Sequence, residues 1–152
     1  MAHSSSNAPK RSRLASASWS ITQLPGLAAD DATRLTDREI LTTLDLLKLG
    51  KTQDKRNLLA SDLQIPIRQL NKWVAFADLA RIPSVGCEYA GLLLHAGIAS
   101  PTQLAQASIA QLHRQLLRLH VSTLQRRDLC PSTDYIGLWI RQAQHLCCNR
   151  ET

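Results

Sequence analysis

From Trp19 onward, apolar residues return every three or four positions, the period of a helix that buries one face. Thr36 to Glu39 has the form of a capping box, and the helix it predicts carries Ile40, Leu44 and Leu47 to a stop at Gly50. Thr52 suits the cap of a short helix holding Leu58 and Leu59. Pro66 suits a first helical position, with Ile67, Leu70, Val74 and Ala77 following at helical spacing. Gly97 ends the next helix, and Ser100 and Pro101 open another as cap and first residue. Ile109, Leu112, Leu116 and Leu119 form an apolar stripe. Pro131 and Ser132 open the last helix, whose inner face is Ile136, Trp139, Ala143 and Leu146. The pattern predicts about eight short helices and no sheet, an all-α chain.

The pattern also repeats. At a shift of 58 residues, Leu24-Pro25-Gly26-Leu27 falls on Ile82-Pro83-Ser84-Val85, Ala32 on Ala90, Leu35 on Leu93 and Ile40 on Ile98. Thr42 falls on Ser100, Leu46 on Leu104 and Arg56 on Arg114; after a longer insertion, Trp73-Val74 matches Trp139-Ile140. Repetition of this kind marks one supersecondary unit used twice. The expected organisation is a basic tail over residues 1–18, then two units of about 19–77 and 78–148. Each unit is too small to bury much alone, so the two should pack into one compact domain over residues 19–148. Trp73 and Trp139, at equivalent places, read as core anchors.

Each unit opens on the same device: Ile21 to Ala28 runs into a helix through Ala32 and Leu35, and Leu79 to Gly86 into one through Ala90 and Leu93. This resembles the helix-hairpin-helix motif, in which an apolar-Pro-Gly-apolar-Gly turn joins two short helices. Glycine permits the turn and a close approach to the backbone. The second helix then aims free N–H groups outward at its positive end, a ready site for phosphate. Both copies depart from the full motif. The first keeps Gly26 but has Ala28, whose methyl stands where the backbone would meet a phosphate; the second keeps Gly86 but has Ser84 at the first glycine. Packing helices together is the purely structural role such turns can have.

The stretch Trp73 to Ala96, then Gly97-Ile98 and Trp139-Ile140 with Ala143, is similar to a bacterial family of unknown function built on tandem hairpins, domain of unknown function 4332. The likeness spans nearly all of residues 19–147 and is most specific from Ala77-Asp78-Leu79 to Gly86. It implies an all-α, multi-hairpin domain and supplies no activity, so no catalytic residue is carried over.

Composition narrows the picture. With 26 Leu and 18 Ala against 9 Ile and 3 Val, the chain favours helix over strand. Six aromatics are too few for the stacking platform of sheet-based RNA modules. No run reaches the roughly 20 apolar residues of a membrane span, so no membrane insertion is expected. No signal peptide is expected either, since no compact apolar segment follows the polar start. Cys87, Cys130, Cys147 and Cys148 make no disulfide framework, which points to a reducing cytoplasm. His145 with Cys147 and Cys148 lacks a second ligand pair at finger-like spacing, so neither a metal nor another cofactor is expected. Cys147 reads instead as part of the buried face of the last helix.

Net charge is +6, and its placement matters more than its size. The tail carries +3 and no acid; it reads as disordered, although its Ser- and Arg-rich composition also suits a targeting peptide. Residues 19–77 hold eight basic and seven acidic groups, and residues 78–152 hold seven and five. That is a weak footprint for a dedicated nucleic-acid domain. Yet no acid occurs from Tyr89 to Arg127, and Gln111, Arg114, Gln115 and Arg118 share the face opposite the apolar stripe. A solvated face is the ordinary role of such charges. Tyr89 reads as half-buried packing with a wet hydroxyl.

No catalytic constellation is present. Asp30 and Asp31 are adjacent and diverge on a helix, and no nucleophile elbow or phosphate-loop glycine pattern occurs. Glycosylases that carry this hairpin place a Lys or an Asp beyond it, and no such Lys follows Ala28 or Gly86. The expectation is a non-enzymatic protein binding the phosphate backbone of DNA or RNA without reading sequence. Contacts are expected at Gly26 and Leu27, at Arg81, Val85, Gly86 and Cys87, and at Arg114, Arg118, Arg126 and Arg127. The alternative is a protein-interaction or scaffold module whose degenerate hairpins have lost phosphate binding.

Overall fold

A computed structural model of the chain describes residues 15–121 and 130–150. After a 3-10 turn, Ile21–Gln23, the helices are α1 (Ala29–Asp37), α2 (Thr43–Leu49), α3 (Gln53–Leu63), α4 (Ile67–Ala80), α5 (Gly86–His95), α6 (Pro101–Ala105), α7 (Ile109–Leu119) and α8 (Thr133–Arg150). Among the described residues there is no strand, only an isolated bridge between Ser20 and Thr42. The fold is all-α.

Caps set the helix starts. Thr42, Thr52, Ser100 and Ser108 each accept from the N–H three residues on, satisfying a donor the helix leaves free. The first capping box lies at Thr42 and Asp45, not at Thr36 and Glu39. Thr36 is in the last turn of α1, where its hydroxyl donates to the Thr33 carbonyl at 3.0 Å. Glu39 takes φ +63°, and Ile40 donates back to the Leu35 carbonyl at 3.0 Å. This is a Schellman ending: Glu39 holds the left-handed position and Ile40 buries the apolar contact that follows it. Gln64 at φ +59° with Ile65, and Gly97 at φ +91° with Ile98, end α3 and α5 in the same way. Glu39 and Gln64 are not glycine, so the ends of α1 and α3 carry no glycine signal, whereas Gly97 marks the end of α5.

Helices α2 and α3 pack on α4, α6 and α7 pack on α8, and α4 meets α5 between them. One continuous hydrophobic core runs from Ile21 and Leu35 through Trp73 and Leu79 to Leu116 and Trp139. Trp73 and Trp139 are both buried, the core role expected of them. Ile136, Ala143 and Leu146 are buried with Trp139 on the inner face of α8. The α7 stripe is narrower than expected: Leu112 and Leu116 are buried, while Ile109 is 41% exposed. Leu59 is buried but its neighbour Leu58 is exposed, and Pro66 precedes α4 as its cap rather than opening it.

Local devices recur 58 residues apart. Ile40 and Ile98 make the same bond back to Leu35 and Leu93. The Asp45 carboxylate accepts from Leu41 N–H at 3.1 Å, and the Gln103 amide oxygen accepts from Ala99 N–H at 2.9 Å. Ser16 and Ala17, in the segment expected to be tail, are tied to Arg81: Ala17 N–H donates to its carbonyl at 2.9 Å.

Candidate phosphate-binding surfaces

The turn expected to form the second hairpin joins α4 to α5 through residues 81–85. Its turn is hydrogen-bonded to α8. Ser84 donates its N–H (2.9 Å) and its hydroxyl (2.7 Å) to the Gln142 amide oxygen, and Tyr135 donates its hydroxyl to the Ser84 carbonyl at 3.0 Å. Val85, Gly86 and Cys87 are buried. Gly86 has φ +55°, and a Cβ there would lie 3.1 Å from Trp19 Cζ2. Its missing side chain thus admits an indole, where the motif would use it to admit a phosphate. The reason is the chain leading into the first unit: Ala17 N–H donates to the Arg81 carbonyl at 2.9 Å, and Trp19 Nε1–H donates to the Ala80 carbonyl at 2.7 Å. Arg81 is also engaged, with Nε 2.9 Å from Asp78 Oδ1 and Nη1 donating to the Ser16 hydroxyl at 3.4 Å.

The turn expected to form the first hairpin is open at Gly26. Gly26, at φ +76°, has nothing within 4 Å of its Cβ position, and Leu27 beside it is half-buried. The helix that follows carries Asp30 and Asp31 in its first turn, and α5 carries Glu88. Carboxylates there favour the helix dipole and repel a phosphate.

Helix α7 presents Gln111, Arg114, Gln115 and Arg118 to solvent, opposite buried Leu112 and Leu116. Neither arginine makes an ion pair among the described residues. Arg118 and Gln115 meet His95, from the end of α5, around a shallow cavity of about 360 Å³. Arg126 and Arg127 lie outside the described residues. The surface candidates are therefore Gly26, Arg114 and Arg118, with Leu27 at the edge, while Val85, Gly86 and Cys87 are interior.

A basic cleft between α2 and α4 has no signature in the sequence, because its cations alternate with acids along the chain. Leu44, Leu47 and Val74 form its wall, and Lys48, Lys51, Arg56 and Arg81 its charged lining. Of the nearby acids, Asp45 is occupied by the capping box, and hydrogen bonds, led by that from Leu41 N–H, hold its carboxyl below the usual range. Arg56 donates to the Gly50 carbonyl at 2.9 Å, to Asn71 Oδ1 at 3.0 Å and to Gln53 Oε1 at 2.9 Å, all neutral acceptors.

Burial raises the Cys87 and Cys130 thiols. Burial, with Glu88 beside it, raises the half-buried Tyr89 hydroxyl. Cys147 is half-buried, with Sγ 3.6 Å from Thr102 Oγ1. Among the described residues no three His, Cys, Asp or Glu side chains gather as a metal site, and no helix is long and apolar enough to cross a membrane.

No curated protein and no solved structure matches this chain. A family model does match over residues 25–146, a span that begins within the first turn and takes in the second turn, helices α2 and α4 and the α7 face. The chain belongs to the family described as Domain of unknown function (DUF4332).

Proposed function

We propose that the chain is a non-enzymatic, tandem helix-hairpin-helix module that binds the phosphate backbone of nucleic acid without reading sequence. The tandem reading is supported by the matching helix ends, caps and core tryptophans of residues 19–77 and 78–148. Side-chain cations make the contact, since the second turn is packed inside and the first leads into an acidic helix start. The observation that carries this reading is the exposed Arg114 and Arg118, which make no ion pair among the described residues, in a stretch whose sequence is free of acids from Tyr89 to Arg127. Cys87, Cys130 and Cys147 are free thiols, which suits the reducing cytoplasm as its place of work.

The test is fluorescence anisotropy with duplex DNA and single-stranded RNA over a range of salt. Binding should weaken steeply with salt, because each neutralised phosphate releases counterions. Replacing Arg114 and Arg118 by Gln should weaken it for every sequence and lower the salt slope by about 1 for each phosphate no longer neutralised. Absence of binding at low salt, or an unchanged slope in the double variant, overturns the reading.

A second reading, a protein-interaction module, is favoured by two observations: Trp19 covers Gly86, and carboxylates stand at the starts of α1 and α5. It predicts a defined protein partner that stays bound through nuclease treatment, and a purified chain with no excess absorbance at 260 nm.

A further inference from the structure

We infer that the cleft between α2 and α4 is a binding site for a phosphate group, separate from the α7 face and not dependent on the nucleic-acid reading. The cleft has a volume of about 340 Å³, enough for a small ligand. Four cations line it against one carboxylate, Asp78, and that carboxylate is paired with Arg81 at 2.9 Å. Lys48 and Lys51 are exposed and make no ion pair among the described residues. The Arg56 charge is held by neutral acceptors alone. A multiply charged, compact anion fits such a set of converging cations better than a single carboxylate does.

Gly50 makes this arrangement possible. A Cβ there would lie 3.0 Å from Val74 Cγ2 and 3.3 Å from Arg56 Cγ. Without it, Arg56 folds across the turn and reaches the Gly50 carbonyl. The apolar wall of Leu44, Leu47 and Val74 suits the carbon body of an organic phosphate, and no aromatic lines the cleft to stack a base.

The equivalent place in the second half keeps Arg56 as Arg114 but argues that packing does not require Lys48, Lys51 or Arg81. There Lys48 and Lys51 correspond to Gln106 and Ile109, and Arg81 to Cys147. The corresponding helices are tied directly together, by Thr102 Oγ1 and Cys147 Sγ at 3.6 Å and by Gln144 donating to the Ala105 carbonyl at 3.1 Å. One fold thus closes this position with short polar bridges in one half and opens it onto two exposed lysines in the other, with no ion pair to either among the described residues.

The phosphate has two possible sources, a free phosphorylated small molecule or the backbone of a nucleic acid. The experiment uses the full chain with inorganic pyrophosphate at constant ionic strength, reading the acetylation rate of each lysine by mass spectrometry. Lys48 and Lys51 should be protected in a saturable way, while Lys55 and Lys72 serve as references. By calorimetry, Lys48→Gln with Lys51→Gln should weaken pyrophosphate binding about tenfold, and Arg114→Gln with Arg118→Gln should leave it unchanged. Circular dichroism checks that both variants fold; all four sites are exposed. Unprotected Lys48 and Lys51, or equal weakening in the two variants, overturns the proposal. Displacement of pyrophosphate by a short single strand assigns the site to polymer phosphate, and failure to displace it assigns it to a free ligand. Loss of duplex binding only in the α7 variant bears on the nucleic-acid reading alone.

Discussion

Trp19 rests on Gly86: a Cβ at that glycine would stand 3.1 Å from the indole Cζ2, and the indole N–H is held by the Ala80 carbonyl at 2.7 Å. The two residues are 67 positions apart in sequence, so the contact ties the start of the first half to the turn that opens the second. Gly86→Ala should destabilise the protein by about 1–3 kcal/mol, combining the φ +55° strain with the steric conflict. Denaturant unfolding measures it. In a Trp19→Ala background the cost should shrink to the backbone part, because the two sites are coupled. An equal cost in both backgrounds would show that the indole does not bear on Gly86.

Asp45 makes the cap of α2 sensitive to acid. Its carboxyl is lowered from the ordinary value of 3.8, chiefly by the bond from Leu41 N–H. A lowered folded-state value stabilises the fold above the unfolded value, and that contribution fades as pH falls through 3.8 towards the folded one. Asp45→Asn should therefore flatten the stability profile below about pH 4 and lower stability at pH 7. Thermal unfolding across that range gives the comparison; Thr42→Ala should cost about 1 kcal/mol at neutral pH.

Trp139 is fully buried among Tyr89 and Tyr135, with ring centroids 5.1 and 5.4 Å away, and its Nε1–H finds no acceptor among the described residues. An unsatisfied buried donor costs about 1–3 kcal/mol, which offsets part of what the large ring contributes by packing. Trp139→Phe should accordingly be milder than Trp139→Ala, which should cost about 3–5 kcal/mol. Tyr135→Phe removes the bond to the Ser84 carbonyl and should cost about 1 kcal/mol. A Phe variant as damaging as the Ala variant would contradict this balance.

The left-handed helix ends give a paired test. Gly97→Ala should cost about 1 kcal/mol, the penalty of a side chain in that conformation. Glu39→Gly, at the corresponding end of α1, should raise the melting temperature, because a non-glycine already holds φ +63° there. Opposite signs at equivalent positions are the expected result.

Burial raises the Cys87 and Cys130 thiols, so their thiolate fractions at pH 8 are below those of free cysteine. Alkylation of the folded protein should be slow at Cys87 and speed up as pH rises. Fast labelling at neutral pH would show that the hairpin opens readily.

Periodicity and capping residues are enough to place most helices, because Thr52, Ser100 and the α8 face announce themselves locally. The α1 to α2 connection is not legible, since Glu39 does a glycine's work and leaves Thr36-Glu39 looking like a helix start. Leu24-Pro25 and Ile82-Pro83 mark two turns of similar sequence. What those turns face is not legible, because that depends on Trp19 arriving from 67 residues away. The α2–α4 cleft is hidden for a related reason: only the fold brings Lys48 and Lys51 together with Arg56 and Arg81.

The three tryptophans sit at three different places in the architecture: Trp19 half-buried over the turn before α5, and Trp73 and Trp139 in the core on α4 and α8. Variants retaining a single indole would therefore turn the protein into its own optical reporter. Trp19 emission would signal release of the hairpin, while Trp73 and Trp139 would show whether the two halves open together or in sequence.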